Sequence, residues 1–168
     1  MCGGELTRLP EGVQRVARVL QEMGHPHAPV MLDDAARTAQ QAADALGIAV
    51  GQIAKSIVFR RVSDDAAVLV VTSGDRRVDG KKIEALGGPT GRADAGFVKA
   101  KTGYSIGGVS PVGHGQRPVT LVDRELFRFE EIWAAAGHPH GVFRLRPQDL
   151  DRLTGGAPVA DVTQEPAA

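Results

Sequence analysis

The sequence predicts an α/β (α+β) protein: a mixed, curled, barrel-like β-sheet with helices around it. Three observations carry this expectation. Short apolar runs at strand spacing recur along the chain, about six or seven of them. Amphipathic stretches at helical spacing separate several of these runs. Strand pairs arrive both as a hairpin and across helices, so parallel and antiparallel pairing should share one sheet. At 168 residues the chain suits one domain over 1–168, with an ordered part from about 6 to 163.

The elements follow in order. Val13, Val16, Ala17 and Leu20 fall at helical spacing, which predicts a helix from about Glu11 to Met23, ended by Gly24 and Pro26. His25 and His27 follow in a loop; no further residues at metal-ligand spacing accompany them. Val30 to Leu32 is a short strand. Thr38 reads as a helix N-cap with Gln41 as its capping-box partner, and Gly47 as the stop. Ile53 to Arg61 and Ala67 to Thr72 read as a hairpin turning at Asp64-Asp65, the second strand apolar throughout. Asp79 caps a helix that Gly87-Gly88 ends. Lys81 and Lys82 sit in its first turn, as surface charge or as a phosphate contact. Ala93 to Ala100 is predicted as a short helix and Pro118 to Val122 as a strand. Phe129 to Ala136 is expected to be helical, with Trp133 on the core and Gly137 closing it. Val142 to Leu145 is a strand, Pro147 opens a last helix to about Leu153, and Val159 to Val162 adds a short strand. The tail after Gln164 is expected to be disordered.

Two stretches carry chemistry. Lys101 to Gly113, KTGYSIGGVSPVG, holds Gly103, Gly107, Gly108, Gly113 and Pro111 and little charge. Glycine lets a ligand approach the backbone closely, and Pro111 pushes Ser110 toward an extended shape. The segment is either a rigid loop that presents backbone groups to a small ligand or a tight turn between strands. The second stretch is QIAKSIVF, Gln52 to Phe59. Period-two counting puts Lys55 on the face of Ile53 and Ile57. A lysine there is an edge-strand gatekeeper or a functional cation, and the segment alone leaves both open.

Charge and composition narrow the classes. Formal net charge is zero, so any nucleic-acid contact must use a local patch, and a DNA-binding role lacks both a helix-turn-helix pattern and a basic face. The single cysteine, Cys2, forms no internal disulfide and suits a reducing compartment. No secretory signal and no run long enough to span a bilayer is visible, so a cytoplasmic location without a membrane partner is expected.

With Lys55 and the glycine loop in hand, the sequence resembles the YbaK/prolyl-tRNA-synthetase-associated family of aminoacyl-tRNA deacylases. RTAQQAADALG, the lysine of QIAKSIVF, VDGKKIEALG and TGYSIGGVSPVG carry the resemblance, which spans roughly Gln14 to Val162. The family's GxxxP signature falls on Gly107-Gly108-Val109-Ser110-Pro111. The resemblance implies a fold like the editing insertion domain of bacterial prolyl-tRNA synthetase. It implies hydrolysis of the ester between a wrong amino acid and the terminal adenosine of tRNA, with no metal, cofactor or side-chain nucleophile. The chain fits that absence, having no GxSxG, no HExxH and no Cys-His pair in a suitable setting.

Such chemistry rests on positioning and charge stabilisation. Lys55 would orient the 3′ end of the substrate, and Gly107, Gly108, Val109, Ser110 and Pro111 would surround the aminoacyl carbonyl and ribose. Some members carry a serine and an aspartate in the amino-acid pocket, where this chain has Ala135 and Val142. Their side-chain specificity does not transfer. His140, or His138, could line the pocket instead, or be a loop histidine. The implied partners are the acceptor end of aminoacyl-tRNA and, as a further option, prolyl-tRNA synthetase. A module of the same fold that binds tRNA or a synthetase without turnover is the alternative; Lys55 together with the complete loop favours the enzyme.

Overall fold

In the computed structural model, residues 9–33 and 36–166 are described; Cys2 lies outside them. The first helix, α1 (Glu11–Glu22), buries Val13, Val16 and Leu20 as their spacing requires. Strand β1 (Val30–Met31) follows, then α2 (Ala39–Leu46). Thr38 Oγ1 accepts from the Gln41 N–H at 3.1 Å, the Gln41 side chain accepts from the Thr38 N–H at 3.1 Å, and Gly47 ends the helix at φ 70°.

Strands β2 (Ile53–Arg61) and β3 (Ala67–Ser73) form the predicted hairpin, with Ala54 opposite Ser73 and Arg60 opposite Ala67. Its turn is held by carboxylates. Asp64 accepts from the Ala66 N–H at 3.1 Å and pairs with Arg61 at 2.8 Å, which holds its pKa down at about 2. Every residue of β3 is buried. Leu69 and Val71 join one apolar cluster with Val16, Leu20 and Phe143. Val68 and Val70 join another with Ile83, Leu121 and Val162. The two-residue period of β3 thus gives the sheet a core on each face.

Helix α3 (Gly80–Gly87) starts at Asp79, whose carboxylate accepts from the Lys81 N–H at 3.0 Å. Lys82 is committed to the C-terminal segment: its Nζ lies 2.9 Å from Asp161 and donates to the Thr163 carbonyl at 2.7 Å. Strand β4 (Thr90–Arg92), absent from the sequence reading, precedes α4 (Ala95–Thr102), which Asp94 caps by accepting from the Phe97 N–H at 2.7 Å. After the glycine loop come β5 (Val119–Asp123), β6 (Ile132–Ala135), β7 (Gly141–Leu145), α5 (Asp149–Thr154) and β8 (Val159–Ala160).

One expectation is overturned. Phe129 to Ala136 is not a helix: a 3-10 turn covers Arg124–Arg128, and Ile132–Ala135 is a strand. The alanines favour a helix locally. Tertiary pairing overrides them, because Ile132 and Ala134 point into the core while the strand pairs with both β2 and β7. Trp133 therefore lies on the other face, half-buried, and Gly137 sits in the bend that follows the strand, at φ 88°.

The eight-stranded sheet runs β1-β7-β6-β2-β3-β5-β8, with β4 also paired to β2. Pairs β2–β6, β3–β5 and β5–β8 are parallel, and the others are antiparallel. Among the described residues β1 and β8 are not paired with each other, so this path of strands does not close into a ring. The feature that positions the site is a fork. On one edge β2 pairs with β6 at Ile53 and Ala54, and with β4 from Phe59 to Arg61. Among the described residues no strand pairs with residues 55–58 on that edge.

Candidate functional site

A cavity of about 750 Å³ opens at the fork. That volume falls within the usual range for small-molecule sites. Lys55, Ser56, Ile57, Val58 and Phe59 all line it, consecutive residues of one strand. A strand paired on both sides shows only alternate residues to a given face. Here the cavity meets β2 edge-on, so both side-chain rows reach it. The other walls come from α2, from β4, from Trp133 and Ala135 of β6, from Val142 of β7 and from the glycine loop. Most of this lining is apolar; Arg37, Lys55, Glu84 and Arg92 bring charge.

Lys55 sits on β2 opposite Thr72 of the buried strand β3, which fixes its backbone. Lys55 is partly buried and lines the cavity.

The glycine loop is rigid for reasons the sequence only partly announced. Ser105 to Gly108 is a tight turn in which the Gly108 N–H donates to the Ser105 carbonyl at 2.9 Å and Gly107 takes φ 88°. A turn with positive φ at its third residue wants glycine there. Tyr104 is buried and its hydroxyl donates to the Val112 carbonyl at 2.8 Å, so the loop is closed on itself. Arg15 of α1 stacks over the Tyr104 ring at 4.8 Å, and the His114 ring meets that ring edge-on at 5.5 Å. His114 Nε2 lies 2.6 Å from the Ser110 carbonyl, so this nitrogen carries the proton and donates. Its Nδ1 is buried with no partner among the described residues, and burial holds the imidazole pKa below its ordinary value. Neither Tyr104 nor His114 was singled out by sequence reasoning; a lone aromatic inside a glycine-rich stretch was the available signal.

The loop residues divide by role. Gly107 and Val109 line the cavity with Ile106. Gly108, Ser110 and Pro111 do not. Gly108 lies against the chain at His138, where a Cβ would come 2.8 Å from the His138 Cα. Ser110 is fully buried, and its Oγ accepts from the Val112 N–H at 3.3 Å. These residues hold the loop's shape from behind.

His140 is not on the wall either. The β6–β7 connection is a turn in which the Gly141 N–H donates to the His138 carbonyl at 2.9 Å. Pro139, favoured at the second position of such a turn, takes the side toward the cavity and lines it. His140 occupies the next position, and its N–H donates to His138 Nδ1 at 3.1 Å. Ala135 and Val142, opposite each other on β6 and β7, both line the cavity. Both positions are therefore apolar wall here. Among the described residues no group of three or more His, Cys, Asp or Glu could hold a metal ion.

The pattern described as an aminoacyl-tRNA editing domain matches residues 33–153, which include the cation and the loop that meet at this cavity. The chain belongs to the aminoacyl-tRNA editing domain family. It is 33% identical over 129 residues to YwhH of Bacillus subtilis, an uncharacterized protein, covering 76% of this chain and 82% of that one. It is 28% identical over 130 residues to EbsC of Enterococcus faecalis, a candidate Cys-tRNA(Pro)/Cys-tRNA(Cys) deacylase, covering 76% and 79% of the two chains. A crystal structure of a candidate trans-editing enzyme for prolyl-tRNA synthetase superposes with a TM-score of 0.86 at 40% identity, covering 94% of this chain and 99% of that one. Its fold is the mixed α/β fold of this family. No helix among the described residues is long and apolar enough to cross a membrane.

Proposed function

We propose that this chain is a trans-editing hydrolase that cleaves the ester of mischarged aminoacyl-tRNA, tRNA-Pro or a similar one, by positioning the substrate. The observation that supports it best is the meeting of Lys55 with Gly107 and Val109 across one cavity of mostly apolar wall. The names of EbsC and of the trans-editing neighbour point the same way.

In the reaction the oxygen of water bonds to the acyl carbon, and the bond from that carbon to the ribose oxygen breaks. The ribose oxygen leaves with a proton, giving a free amino acid and a free 3′ end. Negative charge develops on the ester oxygens as the water adds. A fixed cation and preorganised dipoles stabilise that charge far better in a water-poor cavity than in bulk water. Lys55 supplies the cation, toward the ester region or the terminal phosphate. The loop's main chain, stiffened by Tyr104, holds the carbonyl and ribose in place. The attacking water is oriented by the cavity or by a ribose hydroxyl, with neither metal nor protein nucleophile. Arg92, exposed and on the wall, adds positive charge for the acceptor-end phosphates.

The test is a deacylation panel: alanyl-, cysteinyl-, seryl- and threonyl-tRNA, each on tRNA-Pro and on its own tRNA. Release of one or more of these amino acids well above the spontaneous rate is expected. Binding of charged tRNA without turnover across the whole panel would instead identify a non-catalytic tRNA- or synthetase-binding module.

A further inference from the structure

We infer that the open edge of β2 at Ser56 is the subsite for the α-amino ester itself, which docks there by main-chain hydrogen bonds as a one-residue strand. This rests on the proposed aminoacyl substrate and adds to it where that group sits.

The direction of the main-chain groups follows from the ladder. The Arg61 N–H donates to the Ala66 carbonyl of the β3 side at 2.9 Å, and the Val62 N–H donates to the Pro89 carbonyl on the β4 side at 2.9 Å. The register of β2 against β3 is unbroken from Ala54 to Arg60. Main-chain groups alternate sides along a strand. Odd-numbered residues of β2 therefore bond to β3, and even-numbered residues face the other edge. On that edge Ala54 meets β6, and Arg60 meets β4 opposite Gly91. Ser56 lies in the interval, where no strand among the described residues pairs with it. Its N–H and C=O both point out of the edge into the space that the cavity occupies.

Two side-chain atoms at the same cavity reinforce this. Ser56 Oγ and Trp133 Nε1 are buried and have no hydrogen-bond partner among the described residues. Both residues line the cavity. Buried polar atoms are nearly always satisfied, so these mark the place of a polar occupant. In an antiparallel ladder a residue that faces its partner squarely exchanges two bonds with it, N–H to C=O and C=O to N–H. An aminoacyl ester carries that same pair on one carbon: an acceptor in its ester carbonyl and a donor in its α-ammonium. Ser56 N–H would donate to the carbonyl and Ser56 C=O would accept from the ammonium. The ligand class is thus an ester with a free α-amino group. A plain carboxylic ester satisfies only half of the edge.

The experiment measures equilibrium binding of two non-hydrolysable amides, 3′-alanylamido-3′-deoxyadenosine and its deamino counterpart 3′-propionylamido-3′-deoxyadenosine. A charge-assisted hydrogen bond is lost between them, so the propionyl compound should bind about tenfold or more weakly. Ser56→Pro removes the N–H at a point where no ladder bond uses it, a position in which a strand tolerates proline. It should weaken the alanyl compound by about tenfold or more with the melting temperature retained. If that variant does not fold, the Ser56 amide resonance of the wild-type chain decides. It should move on adding the alanyl compound, and the Ile57 amide, which faces β3, should move far less. Equal affinity for the two amides, or a still Ser56 amide, overturns the inference even if the panel shows deacylation. A preference for the alanyl amide without any turnover keeps the subsite and sinks the proposed reaction.

Discussion

Lys55→Ala separates the functional cation from the gatekeeper. Among the described residues no ion pair or hydrogen bond engages the Lys55 ammonium, so truncation leaves no partner stranded. A partly exposed side chain of this kind changes stability by no more than about 0.5 kcal/mol. For a chain of this size that is about 2 °C in melting temperature. The catalytic side is much larger. A hydrogen bond from a charged donor contributes about 1.5–3 kcal/mol, and each 1.36 kcal/mol is about a factor of ten. If the contact forms mainly in the transition state, kcat/KM falls by about 10- to 150-fold. Single-turnover deacylation of the best substrate in the panel, read beside a thermal melt, measures both. Turnover near wild type would refute the assignment and leave Lys55 an edge-strand charge. A fall in activity matched by a large fall in melting temperature would refute it equally, because the lysine would then act through the fold.

The loop yields a contrast between neighbours. Gly107→Ala has open space, its nearest atom being Pro139 Cγ at 3.9 Å, but must hold φ 88°, which costs about 1–2 kcal/mol. Gly108→Ala drives a methyl to 2.8 Å from the His138 backbone and should cost about 1–3 kcal/mol while shifting the loop; both should lose more activity than a melt alone explains, whereas strictly parallel losses would favour a plain turn. His114 gives a pH effect. Its folded pKa is depressed by burial, so the unfolded chain takes up the proton first and stability falls as pH drops below about 6.5. Melting temperature should decline from pH 7.5 to 5.5, and less so in His114→Asn; identical slopes would show that other groups carry the effect. With zero net charge and Lys82 already paired to Asp161, only two to four phosphates, about that many, should be neutralised. The log-affinity slope against log salt should be roughly −2 to −3, and a minimal acceptor stem should be deacylated about as fast as full tRNA. A slope near −6 with failure on the minimal stem would show an extended basic surface.

Much of the fold was legible because local signals agreed with tertiary pairing. The Thr38 capping box, the β2–β3 hairpin and the apolar run of β3 each stand where their residues put them. The failures fall where pairing decides alone. Three residues from Thr90 to Arg92 carry no strand pattern of their own and become β4 only because β2 offers an edge. The alanine-rich segment around Trp133 reads as helix until β2 and β7 claim it. At the site, Lys55 and the loop could be found because a charge in an apolar strand and a run of glycines both stand out. Ser56, Trp133 and Pro139 could not. Their place on the wall depends on which edge of β2 is left unpaired, and no single stretch of sequence encodes that.

The cavity exists because two strands stop early. β6 ends at Ala135, since the chain must turn at Gly137, which lies against Gly12 at the start of α1 with no room for a side chain between them. β4 ends at Arg92, since Asp94 immediately commits the next residues to α4. The sequence of β2, apolar at Ile53, Ala54, Ile57, Val58 and Phe59, would support a partner along more of its edge than is paired. The opening is therefore a property of its neighbours, and what it exposes is main chain as well as side chain. An exposed strand edge normally invites unwanted pairing. Here Trp133, Ile106 and Pro139 line the cavity at that edge, and Lys55 lines it with them. A lysine at a strand edge discourages unwanted pairing, and in the proposed reaction the same lysine would be the cation that an ester substrate needs. The gatekeeper and functional readings of Lys55 thus describe one placement, and only the activity of the alanine variant separates them.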